Sequence, residues 1–194
     1  MNKNIQKLIS DIMTKCIKHG INFRLEYTDQ VDQENIPCSG YFDEETLAVA
    51  TKKEKTQDWL DILVHESCHL DQFLAGPKVW MPDDNTLFIV EGWIHGKNFT
   101  KKKLESGFKN TINLELDCEK RTVAKMQKYG IRFNKKQYIQ KANSYLFSYT
   151  YAFVNRAWYP KPYEQPKIYN HMPTKFLTVN EYFDINSKYF QYYL

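Results

Sequence analysis

His65-Glu66-Ser67-Cys68-His69 sets two imidazoles four residues apart around a glutamate. Residues four apart share one face of an α-helix. The stretch from Thr56 to Ala75 reads as a helix, with Trp59, Leu60, Leu63, Val64 and Leu70 as its apolar contacts. Two imidazoles on one helix face can hold Zn2+ at about 2.1 Å. Glu66, about 100° around the helix from His65, can act on a water at the ion without being a ligand. A chain of this composition spells the HExxH pattern by chance about once in a hundred. Burying two imidazoles and a carboxylate against apolar packing without a partner is costly. Both considerations favour a metal site built on His65 and His69, with Glu66 as general base.

Such a site needs a third protein ligand and an open position. The elongated form HExxHxxGxxH requires Gly at 72 and His at 75, where this chain has Gln72 and Ala75. The zinc deaminase signature requires H-x-E and a later PCxxC, and Pro37-Cys38 has no second cysteine at that spacing. A carboxylate from elsewhere remains. Glu115 and Glu119, in Leu114-Glu-Leu-Asp-Cys-Glu-Lys-Arg121, are four apart on a later helical segment. Glu91 and His95 form a rival pair, although Gly92 weakens a helix there. Asp71 and Asp117 are expected to cap, pair or face solvent.

These two segments resemble the gluzincin branch of the zincin metallopeptidases, over roughly residues 20 to 130, with HExxH on one helix and ExxxD or ExxxE on a later one. HESCHLDQF with ELDCEKR is also similar to small metallopeptidase-like proteins encoded by tailed phages. The resemblance implies Glu115 as third zinc ligand and Glu119 as the residue that orients a ligating histidine from behind. Glu119 stands where Asp is commoner, so its arm is one methylene longer, and Glu119 as the ligand itself stays open. The implied fold is α+β and zincin-like: an N-terminal helix, a small mostly antiparallel sheet, the HExxH helix, then a helical C-terminal half. The implied organisation is a single domain over 1–194, with sheet and HExxH helix in 1–99 and a helical part in 100–194.

The implied activity is zinc-dependent hydrolysis of peptide amide bonds, with a bound zinc activating water and Glu66 moving its proton to the leaving amine. An edge strand before the HExxH helix holds substrate in such folds, and residues 46–51 are placed for it. Tyr149, Arg156, Tyr159 and His171 are candidates for oxyanion stabilisation, each weighed against simple packing or surface roles. The alternative is a non-catalytic zincin-like binding protein, virus-encoded and host-directed.

The elements that would position this chemistry follow from periodicity. Ile5, Leu8, Ile9, Ile12, Met13, Cys16 and Ile17 describe one face of a helix over 3–18, stopped by Gly20. Residues 21–27 alternate as a half-buried strand. Pro37 sits in a polar connection, and 40–51 reads as a hairpin with Asp43 to Glu45 at its tip. Gly76-Pro77 ends the HExxH helix, and 78–85 reads as a loop. Leu87 to Gly96 is ambiguous between helix and strand. Helices are predicted over 100–127 and 135–158, the latter halted by Pro160, Pro162 and Pro166. The last thirty residues read as an aromatic loop, with a capping box at Thr178-Val-Asn-Glu181 that can start a short helix.

Composition narrows the classes. Lys and Arg number 27 against 23 acidic residues, a net charge of only +4. That argues against nucleic-acid binding, which favours a dense basic face; Lys101 to Lys103 reads as a solvated helix start. The chain has no apolar run long enough to predict a membrane span and no apolar signal core at its start. Its four cysteines lack CxxC spacing, so reduced thiols in a cytoplasmic setting are expected, the host cytoplasm if the gene is a phage's. The expected partner is a peptide or protein substrate, with neither nucleic acid nor membrane. Spacing says nothing of oligomeric state.

Overall fold

The computed structural model describes residues 2–80 and 86–194. They form an α+β protein with a small sheet and a helical C-terminal half. The chain divides into two compact units, Met1–Gly76 with Cys118–Phe133, and Pro77–Asp117 with Asn134–Leu194.

The first unit begins with α1 (Lys3–Lys18), whose N-cap Asn2 accepts the Asn4 N–H at 2.9 Å. Its buried stripe is Leu8, Ile12 and Cys16. That is narrower than the predicted face, since Met13 and Ile17 are exposed. Gly20 (φ +71°) then turns the chain. Next come β1 (Asn22–Glu26), β2 (Val31–Gln33), β3 (Ile36–Cys38), β4 (Gly40–Phe42) and β5 (Thr46–Ala50).

The polar connection predicted around Pro37 is instead an antiparallel ribbon of β2 and β3, with Asp32 opposite Pro37. Glu34 and Asn35 both have positive φ, the geometry that lets a two-residue loop match strand twist. Pro37 is tolerated because a two-stranded ribbon leaves one side of each strand unpaired. The β4–β5 hairpin forms at the predicted tip: Asp43 Oδ1 accepts from the Thr46 N–H at 2.7 Å, and Glu44 is left-handed.

The main sheet has the order β1-β5-β4, with β1 parallel and β4 antiparallel to β5. β5 is therefore the central strand, and Leu47 to Ala50 are wholly buried. This corrects the expectation that residues 46–51 form a substrate-holding edge: both sides of β5 are already hydrogen-bonded to neighbours.

Helix α2 (Thr56–Leu74) packs on this sheet. At Gly40 a Cβ would stand 2.6 Å from Ile62 Cγ2, so the close approach needs glycine there. Leu60, Leu63, Val64, Cys68 and Leu70 face the core together with the polar Ser67, His69 and Gln72. α2 ends at Gly76 (φ +102°). The residues of α5 (Lys101–Lys128) from Cys118 onward belong to this unit. Tyr129 donates to Asp11 Oδ2 at 2.8 Å and ties the end of α5 to α1.

The second unit holds α3 (Pro77–Trp80), α4 (Thr86–Ile94), the first part of α5, α6 (Lys135–Asn155), α7 (Pro166–Tyr169) and α8 (Val179–Tyr182). Lys78 to Trp80 are thus helical rather than loop, and the rest of that predicted loop, 81–85, lies outside the described residues. The ambiguous 87–96 stretch is helical as α4, whose Ile89 meets α5 so closely that a Cβ at Gly107 would stand 2.6 Å from its Cγ2. α6 stops at Asn155, before the prolines, because Arg156 turns left-handed (φ +54°).

The aromatic tail is ordered against α6. Asn143 Nδ2 donates to the carbonyls of Pro173 (2.7 Å) and Lys175 (3.0 Å). Thr150 donates to the Tyr182 carbonyl at 2.7 Å, and the Tyr193 hydroxyl donates to the Ser144 carbonyl. The predicted capping box is present at Thr178 and Glu181.

Candidate metal centre

Helical register brings His65 and His69 together on α2: their ring centroids are 4.8 Å apart, nearly perpendicular, and the two Nε2 atoms are 3.1 Å apart. The other ring nitrogens face oxygens. His69 Nδ1 lies 2.8 Å from Gln72 Oε1, and His65 Nδ1 lies 3.3 Å from Glu119 Oε1. His69, Gln72 and Glu119 are buried, and the His65 side chain retains 18% exposure.

The tautomers follow. An amide or carboxylate oxygen accepts, so each facing Nδ1 carries the proton and each Nε2 presents a lone pair. Two lone pairs 3.1 Å apart repel unless a cation or proton lies between them. Two bonds of about 2.1 Å meeting at a tetrahedral centre span about 3.4 Å, close to the observed separation. The residues therefore fit a small divalent cation held by the two Nε2 atoms.

Cys118 completes a cluster with His65 and His69 in which one donor atom from each lies within 4.8 Å of the others. Its Sγ is 3.6 Å from His65 Nδ1, and its thiol donates to the His65 carbonyl at 3.3 Å. It thus stands on the ring edge away from Nε2. Cys68, buried on α2, has the pKa of its thiol lowered by a hydrogen bond with Cys118, which together with Lys125 overcomes the cost of burial. Neither cysteine is in a disulfide.

α2 is also braced to α5 within this unit. Lys125 Nζ donates to the Ser67 carbonyl (3.0 Å) and hydroxyl (2.9 Å) and pairs with Asp71 Oδ2 (2.7 Å). Asp71 also pairs with Lys15 at 2.5 Å. Burial opposes ionisation of Asp71, yet the two ammonium groups hold its carboxyl below the usual range. Glu66 is half-buried on α2. After burial itself, its charge is the main influence that pushes the Cys38 thiol up, so the two side chains are electrostatic neighbours.

The remaining candidates lie in the second unit. Glu115 is buried on α5 and hydrogen-bonded to Tyr149, whose hydroxyl is 2.7 Å from that of Tyr145. Burial, then the Glu115 charge, pushes the Tyr149 phenol well above its ordinary value. Glu91 and His95 pair with each other at 3.7 Å, with side chains 54% and 75% exposed. Arg156 lies over the Trp93 ring at 3.7 Å and donates to the Lys97 carbonyl at 2.8 Å. Tyr159 packs edge-on against Tyr151 and Tyr193, and His171 stacks on Tyr192. Lys101 to Lys103 are exposed in the first turn of α5.

Gln72 and Lys125 escape the sequence reading. Gln72 carried one legible signal: three residues after His69, it shares that histidine's helix face. No family model, curated protein or solved structure matches the chain.

Proposed function

We propose that this chain is a zincin-like, gluzincin-type zinc-dependent hydrolase of peptide bonds, acting in the cytoplasm on a peptide or protein. The observation that carries the reading is the pair of Nε2 atoms 3.1 Å apart, each ring faced from behind by an oxygen, within an HExxH helix. His65 and His69 would hold the ion, and the motif resemblance supplies Glu115 as third ligand. Bound zinc supplies Lewis acidity and makes water nucleophilic near neutral pH. Glu66 takes the proton of the attacking water and returns it to the leaving amine. Glu119 keeps His65 in the tautomer that exposes Nε2. Among the described residues no helix is long and apolar enough to cross a membrane, which accords with a substrate met in water.

Metal analysis of protein purified without an affinity tag tests the ligands: one zinc per chain in wild type, none in His65→Ala, and a large loss in Glu115→Ala. Full zinc in Glu115→Ala removes that residue from the ligand set. Glu66→Ala should keep zinc and lose at least about 100-fold in peptide hydrolysis; unchanged hydrolysis would overturn the mechanism.

Cys118 favours a second reading. A thiol clustered with two histidines also suits a structural zinc site, one that would take His65 through Nδ1, the nitrogen beside Cys118, in place of Nε2, and the chain would then be a non-catalytic binding protein. In that case zinc falls in Cys118→Ser, and partner capture survives Glu66→Ala.

A further inference from the structure

We propose that Gln72 is the positioning residue for His69, the neutral counterpart of Glu119 behind His65, and that it raises the affinity of the imidazole pair for a divalent cation. The inference rests on the metal-site reading above.

Gln72 is wholly buried on α2, among positions where Leu63, Val64 and Leu70 fill the core. A buried amide costs free energy unless its polar atoms are bonded. Its Oε1 lies 2.8 Å from His69 Nδ1, a full-strength hydrogen-bond distance. Because a carbonyl oxygen cannot donate, Nδ1 must carry the proton, and Nε2 is left with its lone pair towards His65 Nε2. The amide also stops the ring from rotating out of that alignment. The spacing is intrahelical: the i, i+3 relation delivers the oxygen without help from another element. The two histidines are thus oriented by different means, one by a carboxylate from α5, the other by an amide on its own helix. The carboxylate adds negative charge behind its ring; the amide orients its ring without adding charge.

The test compares wild type with Gln72→Met, Gln72→Asn and Gln72→Glu. Zinc affinity is measured by chelator competition, and the His69 tautomer by long-range 1H–15N NMR of metal-free protein. Gln72→Met keeps side-chain bulk but cannot accept strongly, and Gln72→Asn keeps the amide but withdraws its oxygen. Each should weaken zinc binding about 10- to 100-fold and lose the Nδ1–H tautomer preference. Gln72→Glu should retain that tautomer and bind zinc at least as tightly as wild type. If Gln72→Met fails to fold by circular dichroism, Gln72→Asn decides. Wild-type affinity and tautomer in a folded Met or Asn variant overturn the proposal. If wild type takes up no zinc, the metal-site reading falls and this proposal with it. Zinc uptake that ignores the Gln72 substitutions sinks this proposal alone.

Discussion

The two units bury polar groups for different ends. In the first, charged and polar side chains are set around the imidazole pair and its helix: Lys125 with Ser67 and Asp71, Glu119 behind His65, Gln72 behind His69. In the second, Ile89, Phe108, Ile112, Leu146, Phe147 and Tyr182 form a dense aromatic and aliphatic core. Its buried polar atoms include Asn143 and Thr150, which hold tail carbonyls, and the Tyr193 hydroxyl, which reaches the Ser144 carbonyl of α6. Burying a charge costs several kcal/mol unless it is paired, whereas burying rings stabilises in proportion to area. The first unit therefore buries paired polar groups where the second buries rings.

The contrast can be broken most strongly at Phe108. It is fully buried in the second core and edge-on to Phe153. Phe108→Ala should cost about 3–5 kcal/mol in urea unfolding, while zinc bound per folded chain stays at the wild-type value.

Alkaline titration sharpens it next. Burial raises the phenols of Tyr149 and Tyr193 well above their ordinary value, and Tyr129 in the first unit rises to about 12. A raised folded-state pKa favours the protonated phenol. Its contribution is complete below the unfolded value of about 10 and fades as pH climbs through the folded one. Unfolding followed by tyrosinate absorbance should therefore show stability falling above about pH 10. Tyr193→Phe should reduce the slope there; an unchanged slope refutes the assignment.

Lys125→Met comes third. It strands the acceptors of Ser67 and one arm of Asp71, and should cost about 1–3 kcal/mol. Lys15 remains to pair with Asp71, which keeps the loss moderate. Smallest is Thr178→Ala, which removes the capping box of α8 for about 1 kcal/mol and should leave zinc affinity unaltered. A chelator-competition assay on both variants separates the brace from the cap: only the first should weaken zinc.

Much of the first unit was legible locally. The helix of His65 and His69, the Asp43 turn and the Gly20 and Gly76 stops each depend on residues within four positions of one another, as does the Thr178 capping box of the second unit. Strand order was not legible. β5 carries a near-continuous apolar run, and its central place follows from β1 pairing with it in parallel across an intervening ribbon. Nor did the tail's pattern reveal order, because its anchors are Asn143, Ser144 and Thr150, about 30 to 49 residues away in sequence.

The amino-acid sequence by itself determined the imidazole pair, the general-base candidate between them and the helices on which they ride, because helical geometry is set by short-range bonds indifferent to context. Gln72 behind His69 follows from helical spacing, but only long-range packing places the atoms behind His65. Glu119 and Cys118 reach His65 from 54 and 53 residues away, and long-range approach of that kind is fixed by how core side chains pack, which no spacing along the chain encodes.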